Sequence, residues 1–368
     1  MPVRNVNQDR LNRNLVPALR LSFPDKKRPM HFLPIQPPEI SVPRIDPVPD
    51  GTQRPFWSVM IPTYNARGYL RRTLRSVLDQ DPGPERMQIQ VVDDCSETDR
   101  ARAISEEVGD DRVEFFQQPE NVGAPTNFTT CVQRARGQWI HILHDDDKVR
   151  PGFYETFEDF IREHAEVEWV FNRCIYIDPK DHWLRIHDAP PGVDRTGVIR
   201  EAARMLVERN FVLPSGMVIK RDLYEKVGGF ADGLPHTTDW EMWVRAATES
   251  PLGYIHHPLA LMRLHPEQDT NIRAREARNV AEIVATSRIV LGYLPEAQRE
   301  EAWRGFRRTY AWWANANRIQ MHRQGYHLAG VKHGLWALRL RPAVTNLLRV
   351  VKSLGLWSSS FWRRSKGK

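Results

Sequence analysis

Three stretches decide the fold: Ser58-Val59-Met60-Ile61-Pro62, Ile89-Gln90-Val91-Val92-Asp93-Asp94, and Trp139-Ile140-His141-Ile142-Leu143-His144-Asp145-Asp146-Asp147. Each is a short, largely apolar run that stops at a proline or at carboxylates, as a buried strand does where it reaches a polar edge. Between the first two, Leu70, Leu74, Val77 and Leu78 fall at i, i+4, i+7 and i+8, which predicts an amphipathic helix. Residues 101–108 predict a second helix, 113–116 another strand, and 126–136 a third helix closed by Gly137 as its C-cap. Strands alternating with helices at this spacing imply βαβ units and an α/β fold with a mainly parallel sheet flanked by helices. The polar clusters at 62–65, 93–94 and 144–147 all fall at strand ends. In open α/β sheets that edge is where ligands bind.

Outward from this core the texture changes on both sides. Residues 1–54 hold ten prolines and little apolar periodicity, so they read as an extended arm that either wraps the body or stays apart. Residues 165–265 read as mixed, with strands near 167–171, 174–177 and 217–219 and helices at 198–209, 223–227 and 240–248. From Asn271 onward the pattern is helical. The expected organisation is therefore an arm (1–54), an α/β domain (55–270, dividing near 150), and a helical extension (271–368).

At 368 residues the chain is long enough to bury a sizeable core without disulfides. Its three cysteines form no metal-type pair, and residues 1–15 lack a secretory apolar run, so a cytoplasmic setting is expected. No apolar stretch is long enough to span a bilayer. The net charge of +7 hides an asymmetry: residues 302–368 carry fourteen Lys and Arg and no acid, which leaves −7 for the first 301. Basic charge confined to a tail argues against an extended nucleic-acid groove.

The run His144-Asp145-Asp146-Asp147 sets three carboxylates side by side. Like charges repel, and a divalent cation, Mg²⁺ or Mn²⁺, is one reason to keep them together; a solvated acidic loop is the other. Asp94 suits either a hydrogen bond to a base or ribose, or a cap on the helix that follows. No GxGxxG follows the first strand and no GxxxxGK[ST] occurs, so neither a dinucleotide fingerprint nor a P-loop is present. A metal is the better candidate to neutralise a diphosphate.

Taken in order, residues 58–65, Val91 to Ser96, Asn121-Val122-Gly123, and Leu143 to Asp147 with Pro151 resemble the family 2 glycosyltransferases. So do Pro214 to Arg221, Gly228-Gly229-Phe230, Thr238 to Arg245 and Arg263-Leu264-His265, and the resemblance covers about 57–268. It implies a GT-A fold, a nucleotide-sugar donor (typically a UDP-sugar) and inversion at the anomeric carbon. Pro62, Thr63, Tyr64 and Asn65 would line the nucleoside pocket, with Asp94 on the base and Asp145 near the ribose. Asp146, with Asp147 and His265, would hold the cation. Counting back from Pro151 puts His144 where the family's Asp-x-Asp motif begins, which leaves the ligand register within 144–147 open by one position. Asp239 would be the general base, a role compatible with capping a helix at Trp240. Gly228-Gly229 suits close approach of backbone to the donor sugar, or a turn after the preceding helix. The processive members' Gln-x-x-Arg-Trp motif is absent, so a single addition to a saccharide or lipid-linked acceptor is expected.

In the tail, Leu340, Val344, Leu347, Leu348, Val351 and Leu354 form an apolar stripe with Arg341, Arg349 and Lys352 off it. That pattern suits peripheral contact with the inner face of the plasma membrane, packing on the acidic body, or a homo-oligomer interface. A nucleotidyltransferase or a non-catalytic nucleotide- or carbohydrate-binding protein is the competing reading. The former usually needs a basic Gly-rich loop that Arg67-Gly68 hardly replaces.

Overall fold

A computed structural model describes residues 37–365, with side chains to residue 358. Residues 1–36 of the proline-rich arm lie outside the described residues. β1 (Trp57–Thr63), α1 (Leu70–Leu78), β2 (Met87–Asp93), α2 (Arg100–Gly109), β3 (Glu114–Gln117), α3 (Ala124–Arg134) and β4 (Trp139–Ile142) build the expected alternating half. β1 and β2 pair in parallel from Trp57–Met87 to Thr63–Asp93, so both chains reach the site edge together. Val59, Ile61, Ile89 and Val91 alternate onto one face, where they pack with α1 and α2. α3 covers the other face, where Ser58 Oγ donates to Gln88 Oε1 at 2.7 Å.

Gly137 is not a helix cap. α3 ends at Arg134, and Ala135 beyond it is extended. A Cβ on Gly137 would lie 2.6 Å from Ser58 N and Trp57 C, so glycine is required where the chain crosses β1 closely.

The second half follows as β5 (Lys148–Val149), α4 (Phe153–Glu163), β6 (Trp169–Ile177), β7 (Trp183–Ile186), β8 (Gly197–Ile199), α5 (Ala202–Glu208), β9 (Met217–Lys220), α6 (Arg221–Val227), α7 (Thr238–Ala247) and β10 (Leu252–Arg263). The sheet order is β3-β2-β1-β4-β9-β6-β10-β5, with β7 on β6 and β8 on β10. The expected parallel pairing holds across β3-β2-β1-β4 and again between β6 and β10. β9 runs antiparallel to both β4 and β6, and β5 and β8 run antiparallel to β10. The two strands expected at 167–171 and 174–177 are one, β6, and the start of the helix expected at 198–209 is β8.

The described part of the arm wraps the body. Ile45 is buried, Ser41 bridges Asp232, and Arg221 donates to the Asp46 carbonyl at 2.9 Å.

The extension comprises α8 (Asp269–Ala274), α9 (Arg278–Tyr293), α10 (Glu296–Arg323), α11 (His327–Leu340) and α12 (Val344–Ser365). It joins the α/β body in one compact unit. Trp240 of α7 stacks on Phe306 of α10 with ring centroids 6.1 Å apart and planes 7° from parallel, and Asn210 N donates to Tyr310 Oη at 3.3 Å. Among the described residues no helix is long and apolar enough to cross a membrane.

Candidate active site

β1, β2 and β4 deliver their carboxyl ends to one edge, and the loops there are tied to one another. Asn65, in a left-handed conformation, donates its amide to Ser96 Oγ at 2.7 Å and accepts from Glu97 N at 3.0 Å. Asp93 holds the next turn by accepting from Ser96 N at 2.8 Å. Asp94 accepts from Val122 N and Gly123 N at 2.8 and 2.9 Å. It therefore caps neither α2 nor any other helix through its side chain; it fixes the 121–123 turn that leads into α3. Burial raises the Asp94 carboxyl above its ordinary value, and the two amide bonds oppose that rise.

The acidic run follows β4 and bends back under α1, where Thr73 Oγ1 donates to the carbonyls of Asp145 and Asp147 at 2.9 and 2.7 Å. Each carboxylate has a different partner. Asp145 accepts from Thr63 Oγ1 at 2.5 Å, and burial, reinforced by the neighbouring Asp146 charge, pushes its carboxyl up to about 7. Burial also acts on Asp146, but it is outweighed by the hydrogen bond from His265 Nε2 at 3.0 Å and by the positive fields of His144 and His265, so this carboxyl sits below its ordinary value. Asp147 is fully buried, accepts from Ser215 Oγ and from Arg263 N at 2.8 Å, and is raised well above its ordinary value, mainly by burial.

Ligand atoms of His144, Asp146 and Asp147 lie within 4.8 Å of one another. His265 adds a second imidazole on Asp146, and its Nδ1 is buried without a partner among the described residues. His144 and His265 thus both lie beside Asp146.

These groups open into a cleft of about 950 Å³. Of the residues singled out in the sequence, Tyr64, Asp145, Asp146, Asp147, Asp239 and His265 line it. Pro62, Thr63, Asn65 and Asp94 stand outside that lining and shape the loops beside it. Gly229 is not brought to the cleft. A Cβ there would meet Thr129 Cγ2 at 2.9 Å and Ile45 Cδ1 at 3.3 Å, and its amide donates to the Pro43 carbonyl at 2.7 Å. The close approach that glycine permits here is to α3 and the wrapping arm.

Asp239 lies one residue inside α7, whose N-cap is Thr237, so it is a first-turn acid rather than the cap. Its carboxylate accepts from Trp240 N at 2.7 Å, and burial raises it above the ordinary aspartate value.

Several residues of the site were assigned no role from the sequence. Phe128 stacks on His144 with centroids 5.4 Å apart. Arg263 lies 4.5 Å over the Tyr69 ring while donating to the Asp146 and Asp178 carbonyls at 2.8 and 2.9 Å. Trp313, Asn317 and Gln320 of α10 line the cleft, so the helical extension supplies part of its wall. The indole N–H of cleft-lining Trp243 is buried with no partner among the described residues. Phe128 and Trp313 look like ordinary helix residues until tertiary packing places them.

The chain is similar to known proteins in sequence and fold. Residues 58–228 match the family model of glycosyl transferase family 2. An uncharacterized glycosyltransferase of Rickettsia typhi is 25% identical over 223 residues, covering 60% of this chain and 68% of that protein. The putative teichuronic acid biosynthesis glycosyltransferase TuaG of Bacillus subtilis is 35% identical over 114 residues, 30% of this chain and 44% of TuaG. In structure, S. aureus TarS 1–349 aligns with a TM-score of 0.54 at 15% identity, covering 78% of this chain and 81% of that one. The same protein in complex with UDP-GlcNAc aligns with a TM-score of 0.53 at 15% identity, covering 81% and 79%. The fold is of the GT-A type, as in TarS.

Proposed function

We propose that this chain, a family 2 glycosyltransferase, moves a sugar from a UDP-sugar donor to a hydroxyl of a saccharide or lipid-linked acceptor, with inversion at the anomeric carbon. One observation carries the reading: Asp146, paired with His265, and Asp239, with a raised pKa, face one cleft at the carboxyl edge of the sheet. A UDP-linked donor is supported by the likeness to TarS, which was solved with UDP-GlcNAc.

The donor set suits a divalent cation. Asp146 offers a carboxylate that is ionised at neutral pH, and His265 and His144 offer imidazole nitrogens beside it. Asp146 and His265 would hold the ion, with His144 and Asp147 completing the cluster. When bound, it would supply positive charge against which a departing diphosphate is stabilised.

Asp239 takes the proton from the acceptor hydroxyl as the new glycosidic bond forms. Its raised pKa makes it a stronger base than a solvent-exposed aspartate. Attack on the face opposite the leaving group gives inversion. Tyr64 at the mouth and the α10 wall narrow the space in which donor and acceptor meet.

Screening a panel of nucleotide sugars for thermal stabilisation with Mn²⁺ tests the reading. A UDP-sugar should raise the melting temperature, with the gain growing as RT ln(1 + [L]/Kd). Stabilisation by nucleoside triphosphates instead, with none by any nucleotide sugar, would favour the nucleotidyltransferase.

A further inference from the structure

The apolar stripe of α12 does not pack inward. Val344 is 62% exposed, Leu347 50%, Leu348 61%, Val351 57% and Leu354 43%. The face that α12 turns to the body is largely polar. Asn346 donates to the Arg341 carbonyl at 2.9 Å and accepts from Asn315 Nδ2 at 3.0 Å, while Ser353 Oγ accepts from Arg318 at 3.3 Å. Val350 is buried there beside Gly334. A surface helix ordinarily buries its apolar stripe and wets its polar one. α12 does the opposite.

At about 100° per residue the five exposed side chains fall on one stripe, with Lys352 at its edge and Arg349 further round the helix. Arg341 precedes the helix and is exposed, and Arg363 and Arg364 continue its sequence. No Asp or Glu occurs anywhere in 302–368. An apolar stripe on a segment whose only charges are cations matches a bilayer surface with anionic headgroups, the apolar side chains entering the acyl boundary and the cations meeting the phosphates. A second copy fits less well. Two such helices face to face would bring Lys352 and the other cations of both copies close together with no acid to neutralise them.

We infer that α12 is a monotopic docking helix that seats the enzyme on an anionic membrane surface through Val344, Leu347, Leu348, Val351 and Leu354. Among the described residues no helix can span the bilayer, so the contact is peripheral. It would present the cleft to an acceptor carried in the same membrane.

The test is co-flotation of the full-length chain with vesicles of phosphatidylcholine alone or with about 30% phosphatidylglycerol. The full chain should float with the anionic vesicles at low salt and leave them at high salt. Leu348→Glu/Val351→Glu should abolish flotation while leaving the melting temperature unchanged, because both positions are exposed. Arg349→Gln/Lys352→Gln should weaken binding by about fivefold per charge removed. Three results would overturn the inference. The chain could stay out of the anionic vesicles, or the Leu348→Glu/Val351→Glu variant could float as well as the parent. Alternatively, sedimentation could show that variant converting a dimer to a monomer, which would assign the stripe to a second copy.

Discussion

Arg263 is the buried cation on which the acidic loop is assembled, and replacing it should loosen the site before it loosens the fold. Its side chain is fully buried. Nε donates to the Asp146 carbonyl at 2.8 Å, and Nη1 to the Asp178 carbonyl at 2.9 Å and to Asp181 Oδ1 at 2.5 Å. Arg263→Met keeps the apolar stem against Tyr69 and removes all three bonds. Hydrogen bonds from a charged group are worth about 1.5–3 kcal/mol each. Part of that is returned because a buried guanidinium no longer needs desolvating, and Asp181 regains water through its exposed side. Removing one partner of a buried charged network typically costs about 3–5 kcal/mol, and the exposure of Asp181 points to the lower end, about 3 kcal/mol. With an unfolding entropy of about 2.1 cal/mol/K per residue, that corresponds to a drop of roughly 4 °C in melting temperature. The larger effect should be local: the Asp146 carbonyl loses its tether, and Mn²⁺-dependent UDP binding should weaken by about tenfold or more. Differential scanning calorimetry and titration calorimetry on the same preparations read both quantities. Arg263→Lys, which keeps the charge but not the fork, should fall between. The reasoning is refuted if Arg263→Met melts with the parent and binds UDP and Mn²⁺ as tightly.

Other perturbations reach different parts of the account. Asp239→Asn should lower turnover by about 10²- to 10⁴-fold while leaving donor affinity nearly unchanged, and a loss of donor binding instead would reassign Asp239 to the donor pocket. Because burial raises the Asp239 pKa, its basic form is lost at a higher pH than for an exposed aspartate. The acidic limb of kcat/KM should therefore lie above the ordinary carboxylate range, and a limb near pH 4 would contradict the assignment. His265→Ala should weaken Mn²⁺-dependent nucleotide binding while leaving urea stability close to the parent, since its ring bonds only Asp146; equal Mn²⁺ affinity would remove it from the cation site. Gly137→Ala places a Cβ 2.6 Å from β1 backbone and should destabilise by about 1–3 kcal/mol, read as a lower urea midpoint at unchanged m-value.

Half of the fold was legible because its signals are local. β1, β2 and β4 are apolar runs with an abrupt polar end, and the residues at those ends belong to the site. The second half hides its order. β10 is interrupted by His256-His257-Pro258, with a register shift between Ile255 and Ala260, so no clean alternation marks a twelve-residue strand. β9, only four residues long, lies antiparallel between β4 and β6, a placement that only tertiary pairing reveals. Asp146 could be singled out because adjacent carboxylates at a strand end repel one another without a counter-charge, and Asp239 because its segment resembles the one that carries the family's general base. At Gly228-Gly229 the sequence reports a close approach without naming what approaches, and the structure puts α3 and the arm there. The tail shows the same limit: periodicity gave the α12 stripe correctly but not its direction, and nothing in Trp313 or Asn317 foretold that α10 would wall the cleft.

The most direct test of a cation-dependent UDP-sugar site built on Asp146, with Asp239 held apart as the base, is titration calorimetry of UDP. It would be run with and without Mn²⁺ on the parent chain, Asp146→Ala and Asp239→Asn. The account predicts Mn²⁺-dependent binding for the parent and for Asp239→Asn, and its loss in Asp146→Ala. Binding that is indifferent to Mn²⁺ and equal in all three proteins would contradict it.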